Sequence, residues 1–119
     1  MARILLVAQD DVLRGYLAKR LLRQGHVVSP TANGREAIAW LVPGAFRILI
    51  TEARMDDIDG PELARRAVAT VPGLRILFLD GFGVLALRQG ALPALDEACL
   101  LPRFHLNSII GEIDNLLAA

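Results

Sequence analysis

The sequence ILLVAQDDVL, residues 4–13, passes from a continuous apolar run into a pair of acids and then into an amphipathic pattern. The run Ile4–Val7 is typical of a strand that is buried on both faces. Asp10 or Asp11 can cap a following helix, because a carboxylate accepts hydrogen bonds from the first free N–H groups. Leucine then recurs at every fourth position, which predicts a helix that ends at Gly25. The stretch therefore predicts one strand followed by one helix.

The same alternation continues along the rest of the chain. Four further short apolar runs predict strands at residues 27–28, 47–51, 76–79 and 98–101. Apolar positions with helical spacing predict four more helices, the third of them short and interrupted by glycine and proline, at residues 33–41, 61–71, 84–87 and 106–117. Strands of the buried type that alternate with helices predict an α/β fold, in which a parallel five-stranded sheet is covered on both faces.

Length and composition limit the class of protein. The 119 residues are enough for a single domain spanning 1–119, and 54% of them are hydrophobic. Thirteen basic and thirteen acidic residues cancel, which argues against a nucleic-acid partner. No apolar run is long enough for a signal peptide or a membrane span, so we expect a cytoplasmic protein. A single cysteine, Cys99, excludes an internal disulfide and a cysteine-rich zinc site.

In a doubly wound parallel sheet the functional crevice lies beyond the carboxyl ends of the strands. Here those ends carry Glu52 and Asp80, whose carboxylates we expect to lie close together. The chain's one lysine, Lys19, falls within the first predicted helix and so cannot stand at this edge. No glycine-rich phosphate loop is present, so nothing supports a small flavodoxin-like enzyme or cofactor binder. The acids of Asp56–Gly60 lack the full spacing of a calcium loop and predict a polar turn.

Several short segments, in this order and spacing, resemble the receiver domains of bacterial two-component response regulators. They are Arg3–Val7, Leu13–Arg14, Asn33–Ala37, Met55–Leu63, Pro72 and Phe104. The match spans essentially the whole chain. It implies a flavodoxin-like (βα)5 fold with strand order 2-1-3-4-5, and the sequence suggests that the fourth helix is short or irregular.

Receiver domains of this family accept a phosphoryl group on an aspartate after the third strand, and two acids after the first strand hold magnesium. At these positions this chain has Glu52, and then Ala8 and Gln9. The family hydroxyl after the fourth strand is replaced by Asp80. The resemblance therefore implies that the phosphoacceptor and the metal ligands are lost.

The remaining family positions have changed as well. The switch aromatic of the fifth strand is Cys99, and the family lysine is Pro102, followed by Arg103. Glutamate places its carboxylate one methylene further out than aspartate, and Asp80 would repel a phosphoryl dianion. At about 4 Å and an effective dielectric near 20, the repulsion between two unit charges of the same sign is of order 4 kcal/mol. We therefore expect no catalysis, no bound metal and no cofactor at this site.

These features predict a receiver that acts in two-component or phosphorelay signalling by phosphorylation-independent protein contact. We expect a protein partner, either a sensor kinase, a protease or another regulator, and a homodimer is possible. The chain also resembles the single-domain receivers of alphaproteobacteria that act as protease adaptors, and this resemblance favours a protease as the partner. The expected contact residues are on the fourth-helix segment, the fifth strand and the start of the last helix: Phe82, Leu85, Leu92, Phe104 and His105.

One alternative stays open at this stage. A register slip of two residues would place Asp10 and Asp11 at the metal-binding positions and give a receiver that still switches. This slip would extend the first strand by two polar residues and would misplace the leucines of the first helix. A DNA-binding regulator is not expected, since receivers of that kind need a second domain.

Overall fold

The computed structural model describes residues 2–80, 83–87, 100–105, 111, 113 and 114. Strands and helices alternate from the start of the chain to the fourth strand. In chain order the elements are β1 (Arg3–Val7), α1 (Asp11–Arg23), β2 (Val27–Thr31), α2 (Gly34–Trp40), β3 (Ile48–Glu52), α3 (Gly60–Thr70), β4 (Arg75–Asp80), β5 (Gly83–Leu87) and β6 (Leu100–His105). Within these described residues, no helix has both the length and the hydropathy that a membrane span needs.

The sheet has the order β2-β1-β3-β4-β5-β6. Its first four strands are parallel, with β1 paired to both β2 and β3, and β3 paired to β4. The predicted α/β class of flavodoxin-like fold, with the parallel order 2-1-3-4, is therefore confirmed. Gly111, Ile113 and Asp114 are helical, as the predicted last helix requires, and Ile113 is buried.

The segment after β4 differs from the prediction. Val84–Leu87, predicted as a short helix, belongs to β5, which runs antiparallel to β4. A helix of so few residues gains too few hydrogen bonds to offset its nucleation, whereas the free edge of β4 offers a complete ladder. The fifth predicted strand, 98–101, is β6, which lies beside β5 and continues to His105, so His105 ends a strand and does not open a helix. Cys99 lies outside the described residues.

Pro102 explains the irregular register of β6. Leu85 of β5 pairs with Arg103, whereas the next residue, Ala86, pairs with Leu101, so Pro102 is the extra residue of a bulge. Proline has no N–H to donate to the ladder and is tolerated at bulges of outer strands.

Helices cover both faces of the parallel strands. Alternate residues of β1, β3 and β4 contribute to two clusters of buried side chains. One cluster packs with α1 and Ile113, and the other packs with α2 and α3. Residues 4–7 and 48–50 are fully buried. Burial on both faces explains why these strands are continuous apolar runs and do not alternate with polar residues.

The helix starts agree with the capping residues that the sequence predicts. The Asp10 side chain accepts from Leu13 N at 2.9 Å, and that of Asn33 accepts from Arg35 N at 2.9 Å and Glu36 N at 3.1 Å. α1 is followed by Gly25 with φ +88°, a conformation that favours glycine.

His26 is buried directly before β2, and its Nδ1 accepts from the backbone N–H of Ala2 at 3.1 Å. Burial, and secondarily the positive amino terminus, lower the pKa of His26, while Asp114 opposes the shift. As pH falls below the ordinary value of 6.5, the unfolded chain takes up its proton first, so the unfolded state is favoured.

We therefore expect the contribution of His26 to the free energy of unfolding to be constant above about pH 6.5 and to decrease below that pH. Replacing His26→Asn keeps an acceptor near the Nδ1 position and removes the titration. Urea denaturation between about pH 7.5 and pH 5.5 measures the free energy of unfolding of the parent chain and of the variant. A variant whose stability declines as steeply as that of the parent chain would contradict this role.

Candidate functional site

The candidate site lies at the carboxyl edge of the parallel strands. β1 and β3 are neighbours, and Val7 pairs with Thr51, so the β1–α1 loop begins beside the end of β3. Glu52, the last residue of β3, pairs with Leu79 of β4, one residue before Asp80. The edge therefore brings together Ala8, Gln9, Glu52 and the backbone of Asp80, which the sequence placed at strand ends.

The carboxylate of Glu52 crosses from β3 to the β1–α1 loop. Its Oε2 accepts from the backbone N–H of Gln9 at 3.3 Å, and its Oε1 lies 3.5 Å from the backbone N of Asp10. These two N–H groups precede α1, where the positive end of the helix dipole favours an anion. Glu52 thus binds two backbone donors of the β1–α1 loop.

The two acids of the loop serve α1. Asp10 is the N-cap of this helix, and Asp11 forms an ion pair with Arg14 at 2.6 Å. β1 ends at Val7, and Leu17 and Leu21 of α1 are buried. This is the register that the capping interpretation predicts, and it leaves Ala8 and Gln9 between the end of β1 and the N-cap of α1.

Arg14 is a residue of this edge that sequence reasoning passed over. Its Nη1 donates to the carbonyl oxygen of Ala8 at 2.8 Å, while its Nη2 contacts Asp11. The guanidinium therefore fixes the β1–α1 loop from the side of α1. The spacing of an acid at 11 and an arginine at 14 was the available signal, since residues three apart face each other on a helix.

The β3–α3 loop is held close to β3 by Gly60. Its N–H donates to the carbonyl oxygen of Ala53 at 3.0 Å, and a Cβ at this position would collide with the backbone oxygen of Glu52. α3 then begins with Asp59 as its N-cap and Pro61 in its first turn. A side chain at Gly60 would displace the backbone that presents Glu52.

Asp57, predicted as part of a polar turn, connects this loop to α2. Its Oδ2 accepts from the backbone N–H of Arg35 at 2.9 Å. Burial raises the pKa of Asp57. Hydrogen bonds from the N–H groups of Arg35, Ile58 and Gly34 together lower it by more, so the net shift of this pKa is downward. Gly34 lies directly against Ile58, which leaves no room for a Cβ. The β3–α3 loop and α2 therefore form one unit.

The other predicted residues lie beyond β4. Pro102 and Arg103 are in β6, Leu85 is in β5, and Phe104 and His105 end β6; only their backbone is described. Cys99, Phe82 and Leu92 lie outside the described residues. Among the residues whose side chains are described, no three histidines, cysteines or acids converge in a way that would hold a metal ion.

The fold and this edge define a receiver domain, and the comparisons agree. The family model of the response regulator receiver domain matches residues 4–114, so the chain belongs to the response regulator receiver family. The response regulator receiver protein CpdR of Brucella abortus (strain 2308) is 38% identical to it over 119 residues, which cover 100% of this chain and 99% of CpdR. The sensor kinase CckA of the same organism is 29% identical over 98% of this chain, which spans only 12% of that kinase.

Solved structures give the same fold. The non-phosphorylated HemR receiver domain from Leptospira biflexa superposes with a TM-score of 0.76 at 25% identity, covering 100% of this chain and 96% of that one. A chain from the complex of the histidine kinase ThkA with the response regulator TrrA has a TM-score of 0.73 at 21% identity, covering 98% and 99%.

Removing the Glu52 carboxylate should release the β1–α1 loop. We expect Glu52→Ala to lower the free energy of unfolding by about 1 kcal/mol and to speed hydrogen exchange at Gln9 and Asp10. Glu52→Gln keeps one acceptor oxygen, so its stability and its exchange rates should lie between those of the parent chain and those of Glu52→Ala. Amide exchange measured by NMR tests this, and unchanged rates at both amides in Glu52→Ala would show that the hydrogen bonds do not hold the loop.

Asp57→Ala should loosen the start of α2 and cost about 1 kcal/mol of stability, as the loss of a helix-capping group does. Because the pKa of Asp57 is lower in the folded chain, this contribution is present above the ordinary carboxyl range and is lost as pH falls through the folded value. Asp56→Ala, one residue earlier and exposed, is the matched control and should change little. Equal urea midpoints at neutral pH for both variants would refute the assignment.

Proposed function

We propose that this chain is a receiver domain that is not phosphorylated in the conventional way and signals by binding a protein partner. The observation that carries the proposal is the Glu52 carboxylate, hydrogen bonded to the backbone N–H groups of Gln9 and Asp10. In metal-dependent receivers the corresponding edge binds a cation. Here the loop presents N–H donors, and its partner is a fixed anion.

The chemistry of the neighbouring side chains supports the same conclusion. Ala8 has no ligand atom, and Gln9 offers only a neutral amide. Mg²⁺ needs several oxygen ligands, usually with carboxylates among them. Phosphoryl transfer depends on metal and cationic stabilisation of the charge that develops on the phosphoryl oxygens. At the positions of the family hydroxyl and lysine the chain has Asp80 and Pro102, neither of which supplies a positive charge or a hydroxyl group.

The switchable alternative would use Asp10 or Asp11 as metal ligands. Asp10 instead caps α1 and Asp11 pairs with Arg14, so a metal would have to replace both interactions. The geometry therefore favours the phosphorylation-independent receiver.

The proposed partner is a protein, and the candidates are a sensor kinase, a protease or another regulator. The similarity to CpdR over 99% of that protein's length supports action as a single receiver domain spanning 1–119. Phe82, Leu85, Leu92, Phe104 and His105 remain the predicted contact residues, together with the switch position Cys99. We further propose that Glu52 keeps the β1–α1 loop in one arrangement, so that no phosphorylation step controls partner binding.

An amide NMR titration with Mg²⁺, and then with Mg²⁺ and beryllofluoride, tests this proposal. We expect the resonances of Gln9, Glu52 and Asp80 to stay in place up to about 10 mM Mg²⁺, because the described acids of this edge do not converge on one point as metal ligands must. A triple variant that restores the family's acids, Ala8→Asp/Gln9→Asp/Glu52→Asp, is the positive control and should shift. Shifts in the parent chain at low millimolar Mg²⁺ would contradict the proposal.

A further inference from the structure

The charges of residues 2–80 are separated along the strand direction. Asp114, which acts on His26 at the start of β2, is the one described acid on the opposite side. Every acidic residue of positions 2–80 lies at the carboxyl edge of the sheet, in a loop, a first helical turn or a strand end. They are Asp10, Asp11, Glu36, Glu52, Asp56, Asp57, Asp59, Glu62 and Asp80. We call this side of the domain the acidic edge. Arginines offset part of its charge, since Arg14 pairs with Asp11, and Arg65 and Arg66 pair with Glu62. Arg35 and Arg54 lie on the same side.

The opposite side, where the strands begin, carries arginine. Arg3 opens β1, Arg47 directly precedes β3 and Arg75 opens β4. The backbone N–H of Arg47 donates to Arg3 O at 2.9 Å, and that of Arg75 donates to Arg47 O at 3.0 Å. The three arginines therefore stand on neighbouring strands, and Arg23, the last residue of α1, lies on the same side. We call this set the arginine edge.

The arginine edge is accessible and partly apolar. Arg3 and Arg47 are exposed, and neither forms an ion pair within the described part of the chain. Val27 pairs in register with Arg3 and is 46% exposed, and Val42, in the connection that leads to Arg47, is 55% exposed. Exposed valines on the same side as Arg3 and Arg47 are typical of a contact surface, because arginines select the partner and apolar groups add affinity.

Helix capping explains part of the charge separation but not all of it. Asp10 and Asp59 cap helices, and Arg23 stands in the last turn of α1, where a cation is favourable. Arg3 and Arg47 lie on or beside strands, which have only small net dipoles. Their position therefore needs another explanation.

We propose that the arginine edge of one copy binds the acidic edge of a second copy, so that the chain self-associates head to tail. The two edges are opposite in charge and belong to the same molecule. The formal net charge of the whole chain is zero, so no net repulsion opposes the approach of a second copy. Each copy uses two different surfaces, so the contact can extend beyond a dimer. This inference rests on the charge pattern and is independent of how Glu52 acts.

Sedimentation of the full chain tests this inference. At low salt we expect a weight-average mass that rises above 12.9 kDa as the protein concentration increases. The useful range is from about 10 µM to 1 mM, over which mass action reveals contacts of moderate affinity. In about 0.5 M NaCl the mass should return to that of one chain, because the Debye length is then about 4 Å.

Two charge-reversal variants of equal net charge distinguish the effect of where the charges lie from the effect of the net charge itself. Arg3→Glu/Arg47→Glu should raise the concentration needed for self-association at least tenfold. Lys19→Glu/Arg54→Glu carries the same net charge, leaves the arginine edge intact and makes the acidic edge more negative at Arg54. It should therefore associate more readily than the first variant. Circular dichroism confirms that both variants fold.

A complementary variant provides the strongest test. Asp11→Lys/Asp56→Lys reverses exposed charges on the acidic edge and should not associate alone. Mixed with Arg3→Glu/Arg47→Glu, it should restore association, because its intact arginine edge can bind the intact acidic edge of that variant, and the two reversed edges also match in charge. A parent chain that stays monomeric at 1 mM in low salt would overturn the proposal. The proposal would also be overturned if Arg3→Glu/Arg47→Glu and Lys19→Glu/Arg54→Glu lost self-association equally, or if the mixture of complementary variants did not associate.

Discussion

Burial of residues 4–7 of β1 and 48–50 of β3 between two layers of helices is the constraint on which the rest of the structure depends. Residues 4–7 and 48–50 have no solvent-accessible surface, so a register slip of two residues would draw polar residues of the β1–α1 loop into the core. The parallel pairing of these strands brings the β1–α1 loop beside the end of β3. Glu52 can therefore reach Gln9 and Asp10 only because the apolar core fixes where both strands end.

At this edge, the local chemistry is opposite to that of a metal-dependent receiver. The β1–α1 loop offers backbone N–H groups at the positive end of α1, and the Glu52 carboxylate accepts from them. Arg14 holds the same loop through the carbonyl of Ala8. Gly60 and Asp57 fix the loop that follows Glu52. Glu52 is thus part of a set of contacts that support one another.

Apolar spacing predicted the parallel strands and the first three helices, and capping side chains predicted the starts of the first two, because both are local signals. The cap of the third, Asp59, was assigned to a polar turn. Apolar spacing failed at Val84–Leu87, since a short apolar run is equally compatible with a buried helix and a strand. The resemblance assigned Ala8, Gln9 and Glu52 to the carboxyl edge, where they lie. The roles of Arg14 and Asp57 were not predictable in this way, because each contacts backbone atoms that only the folded chain brings near.

The central claim is that Glu52 occupies this edge in place of a phosphorylation site. Intact-mass spectrometry after incubation with acetyl phosphate and Mg²⁺ tests it most directly. A phosphoryl group adds about 80 Da to a side chain that accepts it. We predict an unchanged mass for the parent chain and the added mass for a variant with the family's acids, hydroxyl and lysine restored. An adduct on the parent chain that hydroxylamine removes, as it does acyl phosphates, would contradict the claim.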